Sequence, residues 1–368
     1  MLIGLFPELL PAGGVQRAGR QLAAVMQGIA EEHGLAILFL SLNDPSGKHE
    51  LRVAGRAICF SGAGRSKVDF ISAAYRGAHG VRLVLAEHPN LAPVGLALRA
   101  FHRGARCAVV AHGIEVWEPL PAIRRHALRR ADLVLAPSND TMEKVARVQG
   151  VERERIRLLP WSLDPEFPVA NLRPAPPRPA GFPSGRVVLT VARLAANERY
   201  KGIDELIQVM PRLVEVAQDL HLAVVGDGDD QPRLRQLAVH LGIAERVLFL
   251  GSLEREDLIA CYDHCDIFAL PSSGEGFGLV FLEAMARGKP VVGGAHGGTP
   301  DIVEDGVTGF LVQHGDLAQL EDRIRRLLVN EPASHQMGTK ALERVRCDFM
   351  FGRFSGRLTM LLADLLVS

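Results

Sequence analysis

SSGEGFGLVFLEAMARGKPVV, residues 272–292, follows the short apolar run DIFALPS and leads from a glycine-bracketed loop through an amphipathic helix to a second apolar run. Strand, loop, helix and strand in this order make the repeating unit of a parallel α/β sheet. Glu275 sits on the loop, and Glu283 stands eight positions later. With a helix opening at Phe277, eight residues at 3.6 per turn place the second carboxylate two turns in and on nearly the same face, so the pair is expected to hold opposite ends of one ligand at a cleft mouth. A helix opened by Gly276, Phe277 and Gly278 is expected to offer backbone N–H groups to an anionic or polyhydroxylated group, and a sugar nucleotide carries both. The plainer reading makes Glu283 a solvent-facing helix residue and Glu275 a loop charge.

The same pattern extends in both directions. LAILFLS, VRLVLAEH, RCAVVAHG and ADLVLAPS precede a break, and RVVLTVARL, HLAVVGDG, RVLFLG, DIFALPS and KPVVGG follow it. Each run is short, rich in Leu or β-branched residues, and ends on Gly, Pro, Ser or Asn, as buried parallel strands do. Helical patterns run from Val15 to Glu31, Asp204 to Gln218, Gln231 to Leu241 and Asp316 to Leu328. The break, PVANLRPAPPRPAGFPSG, holds six prolines between Pro168 and Pro183 and is too donor-poor for a sheet interior. The prediction is an α/β chain of two doubly wound, Rossmann-like domains facing a cleft: an N-terminal domain over residues 1–165, a linker over 166–184, and a second domain over 185–345. Residues 346–368 form a helix, apolar through Phe349, Phe354, Leu358, Leu361, Leu362 and Leu365, which either crosses back to the first domain or packs within the second.

Composition narrows the function. The 368 residues suit two domains, and equal counts of 42 basic and 42 acidic residues give no global field for nucleic acid. MLIGLFPELL lacks a basic leader and meets Pro7, so it reads as a first strand rather than a signal peptide, and no apolar stretch reaches membrane-spanning length. Five dispersed cysteines imply reduced thiols and a cytoplasmic location. Cys261, His264 and Cys265 lie within about one helical turn, but a fourth zinc ligand is missing from the pattern.

Several strand ends carry candidate chemistry. Arg193 closes one apolar run and Lys201 precedes a helix, a fork and a point charge able to hold a diphosphate without a metal. Gly13 and Gly14, in Pro11-Ala12-Gly13-Gly14-Val15, open a helix whose amides suit the same phosphates. His112 and Glu115 lie in VVAHGIEVW, where a strand delivers the histidine to the cleft. Gly226-Asp227-Gly228-Asp229 has the look of a dinucleotide loop or a metal-binding pair, but the third glycine is missing and Pro232 interrupts, so it reads as a turn.

VARL followed by KG, then VVGDG, RVLFLGSL, CDIFALPSSGEGFGLVFLEAMARGKPVV and GGTPDIVEDGVTGFLV resemble, in order and spacing, the nucleotide-sugar domain of retaining glycosyltransferases of family 4, which have the GT-B fold. PAGGVQR, AHGIE and RRADLVLAPS extend the likeness more loosely to the first half. The resemblance implies that Glu275 lies beside the donor sugar with the amides of Gly276, Phe277 and Gly278, and that Glu283 holds the ribose. It places Arg193, Lys201 and Gly14 on the diphosphate, Leu279 and Val280 near the phosphates and ribose, Ser252 by the base, and His112 across the sugar. Trp161 and Ser162, in LLPWSLDPEF, stand where many relatives have Asn-Gly.

The implied activity is metal-independent, cofactor-free retaining transfer from a nucleoside-diphosphate sugar to a hydroxyl of a glycan, glycolipid or small molecule, in surface-glycan, glycolipid or natural-product glycoside synthesis. Alternatives are a sugar-nucleotide epimerase of the same fold and a non-catalytic binding subunit; a nicotinamide dehydrogenase is disfavoured by the broken fingerprint. Arg124, Arg125, Arg129 and Arg130 are either a peripheral contact with anionic lipid or a solvated helix face.

Overall fold

The computed structural model describes residues 1–11, 13–170 and 176–367. Ala12 of the glycine turn, residues 171–175 of the proline-rich segment and Ser368 lie outside the described residues. The chain divides into two compact units, one formed by residues 1–166 together with those from Phe349 onward, the other by Phe167–Asp348.

The first unit contains β1 (Leu2–Phe6), α1 (Gly14–Glu32), β2 (Ile37–Ser41), β3 (Gly47–Val53), β4 (Arg56–Gly62), α2 (Lys67–Arg76), β5 (Leu83–Ala86), α3 (Ala92–Phe101), β6 (Arg106–Val110), α4 (Ala122–Arg130), β7 (Leu133–Ala136), α5 (Asn139–Arg147) and β8 (Ile156–Leu158). Its sheet runs β3-β4-β2-β1-β5-β6-β7-β8. Every residue of β1, β5 and β7 is buried, the signature of parallel strands covered on both faces. Helix α1 turns Leu22, Val25, Met26 and Ile29 into the core at helical spacing, and its buried Gln21 is satisfied by Ser162, donating to the carbonyl at 3.1 Å and accepting from the hydroxyl at 2.9 Å.

The parallel sheet expected from the sequence is extended at one edge by a single antiparallel pair. β3 pairs antiparallel with β4 through a two-residue turn, Ala54-Gly55, both at positive φ, the geometry that matches strand twist in a hairpin. This hairpin is the sheet edge, and its polar, alternately exposed residues need no second covering layer.

The second unit contains β9 (Val187–Val191), α6 (Ile203–Val216), β10 (His221–Val225), α7 (Gln231–His240), β11 (Val247–Gly251), α8 (Arg255–His264), β12 (Ile267–Leu270), α9 (Leu279–Ala286), β13 (Val291–Gly294), α10 (Thr299–Ile302), β14 (Gly309–Val312), α11 (Leu317–Val329) and α12 (Glu331–Asp348). All its strand pairs are parallel, in the order β11-β10-β9-β12-β13-β14. The four helices expected from periodicity stand within two residues of α1, α6, α7 and α11. After α12 the chain re-enters the first unit as α13 (Phe351–Val367), where Phe354, Leu358 and Leu362 are buried.

Each sheet has one place where consecutive connections leave in opposite directions and the loops diverge. In the first unit it lies between β1 and β5, in the second between β9 and β12. Ligands of doubly wound sheets bind outside the strand C-termini at such points.

Candidate functional site

In the second unit, β9 runs through Arg193 into a 3₁₀ turn, Ala196–Lys201, and β12 runs into the loop of Glu275. These neighbours bring Lys201 and Glu275 together: Nζ donates to Oε1 at 2.9 Å, with the side chains 15 % and 14 % exposed. Burial alone would lower the Lys201 pKa, but the Glu275 charge and hydrogen bond lift it above the usual ammonium value. The loops are also tied through backbone, Ser273 N–H to the Tyr200 carbonyl at 2.8 Å and Gly298 N–H to the Glu275 carbonyl at 2.7 Å. Lys201 and Glu275 are therefore held by a braced frame. Arg193 is 72 % exposed and pairs with Glu198.

Helix α9 starts at Leu279, two residues later than expected, because Gly278 caps it in the left-handed region at φ 106° with the Phe281 ring against the position a Cβ would take. Residues 275–278 are loop, so the eight-residue periodicity does not relate Glu275 to Glu283. Glu283 sits one turn into the helix and is 2 % exposed, with Oε2 accepting from the Tyr262 hydroxyl at 2.9 Å. This corrects both the two-turn placement and the solvent-facing alternative. The first-turn amides of α9 belong to Leu279 and Val280, and Phe277 is buried. Ser252 is exposed just beyond β11, two strands from β9.

The Gly226–Asp229 segment is a turn. Gly226, at φ 129°, lies so close to the Ala192 carbonyl that no side chain fits there. The Asp227 carboxylate accepts from Gly228 N–H and that of Asp229 from Ala196 N–H, both at 2.8 Å, so each serves loop backbone. Among the described residues no group of three or more His, Cys, Asp or Glu side chains is arranged to hold a metal. His264 Nε2 meets the Pro176 carbonyl at 3.0 Å, and burial pushes the Cys261 and Cys265 thiols up to about 12.

In the first unit, Gly13 caps α1 and Gly14 is its first residue. Glu87 follows the end of β5, across the divergence point from them, and His112 follows β6. The His112 N–H donates to Glu115 Oε1 at 2.5 Å. Its ring Nε2 meets the Glu87 carbonyl oxygen at 2.7 Å and lies 3.0 Å from Glu87 Oε1. The imidazole stacks with Trp161, centroids 5.4 Å apart, and with His88 at 6.1 Å, and Trp161 in turn packs on Phe354 at 5.8 Å. Trp161 and Ser162 thus have structural work, the first behind His112 and the second on Gln21. Burial would depress His112, but the Glu87 charge and hydrogen bond, with Glu115, raise it to about 9. His88, dominated by burial, is lowered to about 4. Glu87 was missed in the sequence reading; its signal was an acidic residue ending the apolar run VRLVLA.

The four arginines lie on α4, where Arg125 and Arg129 line a basin of about 680 Å³ with Arg130 and Arg155. Arg125 Nε also donates to the Gln149 carbonyl at 3.1 Å.

Comparison with known proteins agrees with this geometry. Residues 178–344 match the family described as glycosyl transferases group 1, and residues 12–167 match glycosyltransferase family 4. The chain is 36 % identical over 257 residues to a GDP-mannose-dependent alpha-(1-6)-phosphatidylinositol monomannoside mannosyltransferase of Mycolicibacterium smegmatis, covering 66 % of this chain and 65 % of that one. It is 31 % identical over 305 residues to the protein of the same description from Mycobacterium tuberculosis, covering 76 % and 77 %. Among solved structures, sucrose-phosphate synthase from Thermosynechococcus elongatus superposes with a TM-score of 0.79 at 23 % identity, covering 100 % of this chain and 99 % of that one. HepE of Anabaena, in complex with UDP and glucose, does so with 0.75 at 21 % identity, covering 99 % and 100 %. Fold and site define a glycosyltransferase of GT-B architecture that uses a nucleotide-sugar donor. The chain belongs to family 4 of these enzymes, the group 1 glycosyl transferases.

Proposed function

We propose that this chain transfers a hexosyl group from a nucleoside-diphosphate sugar to a glycolipid hydroxyl, with retention of anomeric configuration and without a metal ion. The observation that carries the reading is the Lys201–Glu275 pair at the divergence point of the second sheet, beside the amide-presenting start of α9. Lys201 and Arg193 neutralise the diphosphate and stabilise it as charge builds on leaving. Glu275, with the amides of Gly276, Phe277 and Gly278, binds sugar hydroxyls, and Glu283, oriented by Tyr262, binds the ribose. His112 contributes from the first unit. The departing diphosphate takes the acceptor proton on the face it leaves, so no carboxylate attacks the anomeric carbon.

GDP-mannose and phosphatidylinositol mannoside are the first donor and acceptor to test, because the mycobacterial relatives bear those names. A lipid acceptor also suits Val68, Ile71 and Tyr75, exposed along α2 beside Phe101, and the basic basin of α4 supplies charge for an anionic headgroup. Nucleotide release from GDP-, UDP-, ADP- and dTDP-sugars, measured with and without the acceptor, tests the proposal. Acceptor-dependent release from one donor supports it; release of free sugar nucleotide epimer with no acceptor requirement defeats it.

A further inference from the structure

Glu87 is a fully buried carboxylate at the divergence point of the first sheet, and nothing in the reaction described above uses it. Among the described residues its two carboxylate oxygens receive no hydrogen bond, although Nε2 of His112 lies 3.0 Å from one of them. The Nε2–H is directed at the Glu87 backbone carbonyl, 2.7 Å away, which can only accept. One residue therefore acts twice on the same ring: its main chain fixes the proton on Nε2, and its side chain, which burial pushes above the usual carboxylate value while the charge of His112 draws it back down, sets a negative charge beside it. Burying an unbonded carboxylate is costly unless a cation compensates it, and the imidazole is the group in contact with it.

We propose that Glu87 is the positioning residue of His112, holding the imidazole doubly protonated so that Nδ1 presents an N–H to the transferred sugar. Stacking contacts with Trp161 and His88 hold the ring in place. Among the described residues Nδ1 has no bond within the protein, while Nε2 is taken by Glu87. The charged and titratable groups facing this ring are Glu87 beyond β5, Glu115 on the turn after β6, and His88 beside Glu87; Glu8 acts in turn on Glu87, and Arg124 on His88. The Glu87 charge offsets the burial that would otherwise strip the ring of its second proton. His88 shows the alternative: stacked on the same ring but dominated by burial, it is lowered to about 4. Without the Glu87 charge, His112 would follow it, and Nδ1 would change from donor to acceptor at neutral pH.

This inference rests on the transferase reading, and the experiment separates the two. The full chain is compared as wild type, Glu87→Gln and Glu87→Asp, with melting curves confirming the fold of each. Histidine-labelled NMR follows the His112 ring from pH 5 to 10, a readout needing no substrate. Initial rates with GDP-mannose and phosphatidylinositol monomannoside are measured over the same range. In the wild type, His112 stays charged past pH 7.5 and kcat falls as pH passes about 9. Glu87→Gln leaves His112 neutral at pH 7.5 and moves the fall in kcat to the acid side of 6.5. It lowers kcat at pH 7.5 about 10- to 100-fold, the scale seen when a metal-bound histidine loses the outer partner that orients it, with KM changed less than about 3-fold. Glu87→Asp, which keeps the charge, restores most of the profile. An unaltered His112 titration in Glu87→Gln, or an altered titration with kcat and its pH profile unchanged, overturns the inference and leaves the transferase reading standing. Failure of wild type to release nucleotide in response to any acceptor defeats that reading instead, and the titration still decides whether Glu87 sets the charge of His112.

Discussion

Replacing Lys201 by Met removes one charge and keeps most of the apolar stem, so it separates electrostatics from packing. The ammonium lies 2.9 Å from Glu275 Oε1 and both side chains are mostly covered. At an effective dielectric of about 20, unit charges about 3 Å apart attract by roughly 5 to 6 kcal/mol. Desolvating the two ions offsets several kcal/mol of that, leaving a net coupling of about 1.5 to 3 kcal/mol. In Lys201→Met the Glu275 carboxylate is left without its partner and, on the proposed reading, the diphosphate loses a cation. The expected loss in kcat/KM is about 2 to 4 kcal/mol, roughly 30- to 1,000-fold. Glu275→Gln in the same background removes the stranded charge, so the double variant loses less than the sum of the two single ones by the coupling energy. Initial rates of GDP release from GDP-mannose with acceptor, for wild type, both single variants and the double, give the cycle directly. Additivity within about 0.5 kcal/mol would show that the residues act independently and refute the view that the pair is one device.

Further outcomes test other parts of the site. Glu283→Gln should weaken binding of the bare nucleoside diphosphate by about 1.5 to 3 kcal/mol, whereas Glu275→Gln should leave it nearly intact; calorimetry giving equal losses would reject that division of labour. Arg193→Ala, removing an exposed cation, should cost about 1 to 3 kcal/mol in kcat/KM, and EDTA should change the rate little; full chelator sensitivity reversed by magnesium would sink metal-free transfer. The product anomer, read by NMR, should match the donor, and inversion would overturn the mechanism. Because folding raises His112 from 6.5 to about 9, its stabilisation is complete below pH 6.5 and is lost as pH rises through about 9. The melting temperature should therefore fall between pH 6.5 and 9.5 more in wild type than in His112→Gln, and parallel curves would contradict the assigned charge.

The buried strands were legible because both-face burial writes continuous apolar runs such as LVLA, found at β5 and β7. The β3–β4 hairpin was not, since its strands are polar and half-exposed and its turn, Ala54-Gly55, lacks the usual Asn-Gly or Asp-Gly signal. Glu275 and Lys201 were readable as strand-end charges, but their contact joins residues 74 apart through two neighbouring strands, which no local spacing encodes. The start of α9 was misplaced because a glycine-rich run suits a loop and a helix N-terminus equally until Gly278 is seen in the left-handed region. Glu87 escaped notice because a lone acid after an apolar run reads as a solvated strand end, and only the fold shows it sealed against His112.

The return of the chain to the first unit after Asp348 bears on the order of events during synthesis. Residues 167–348 form an uninterrupted unit that can fold as soon as they leave the ribosome, whereas the first unit, although made earlier, must wait for α13. Phe354 packs on Trp161, and Trp161 packs on the His112 ring, so the histidine lacks its full backing until translation has passed Phe354. A nascent chain stalled before that point would carry a finished second unit and a first unit still lacking its last helix.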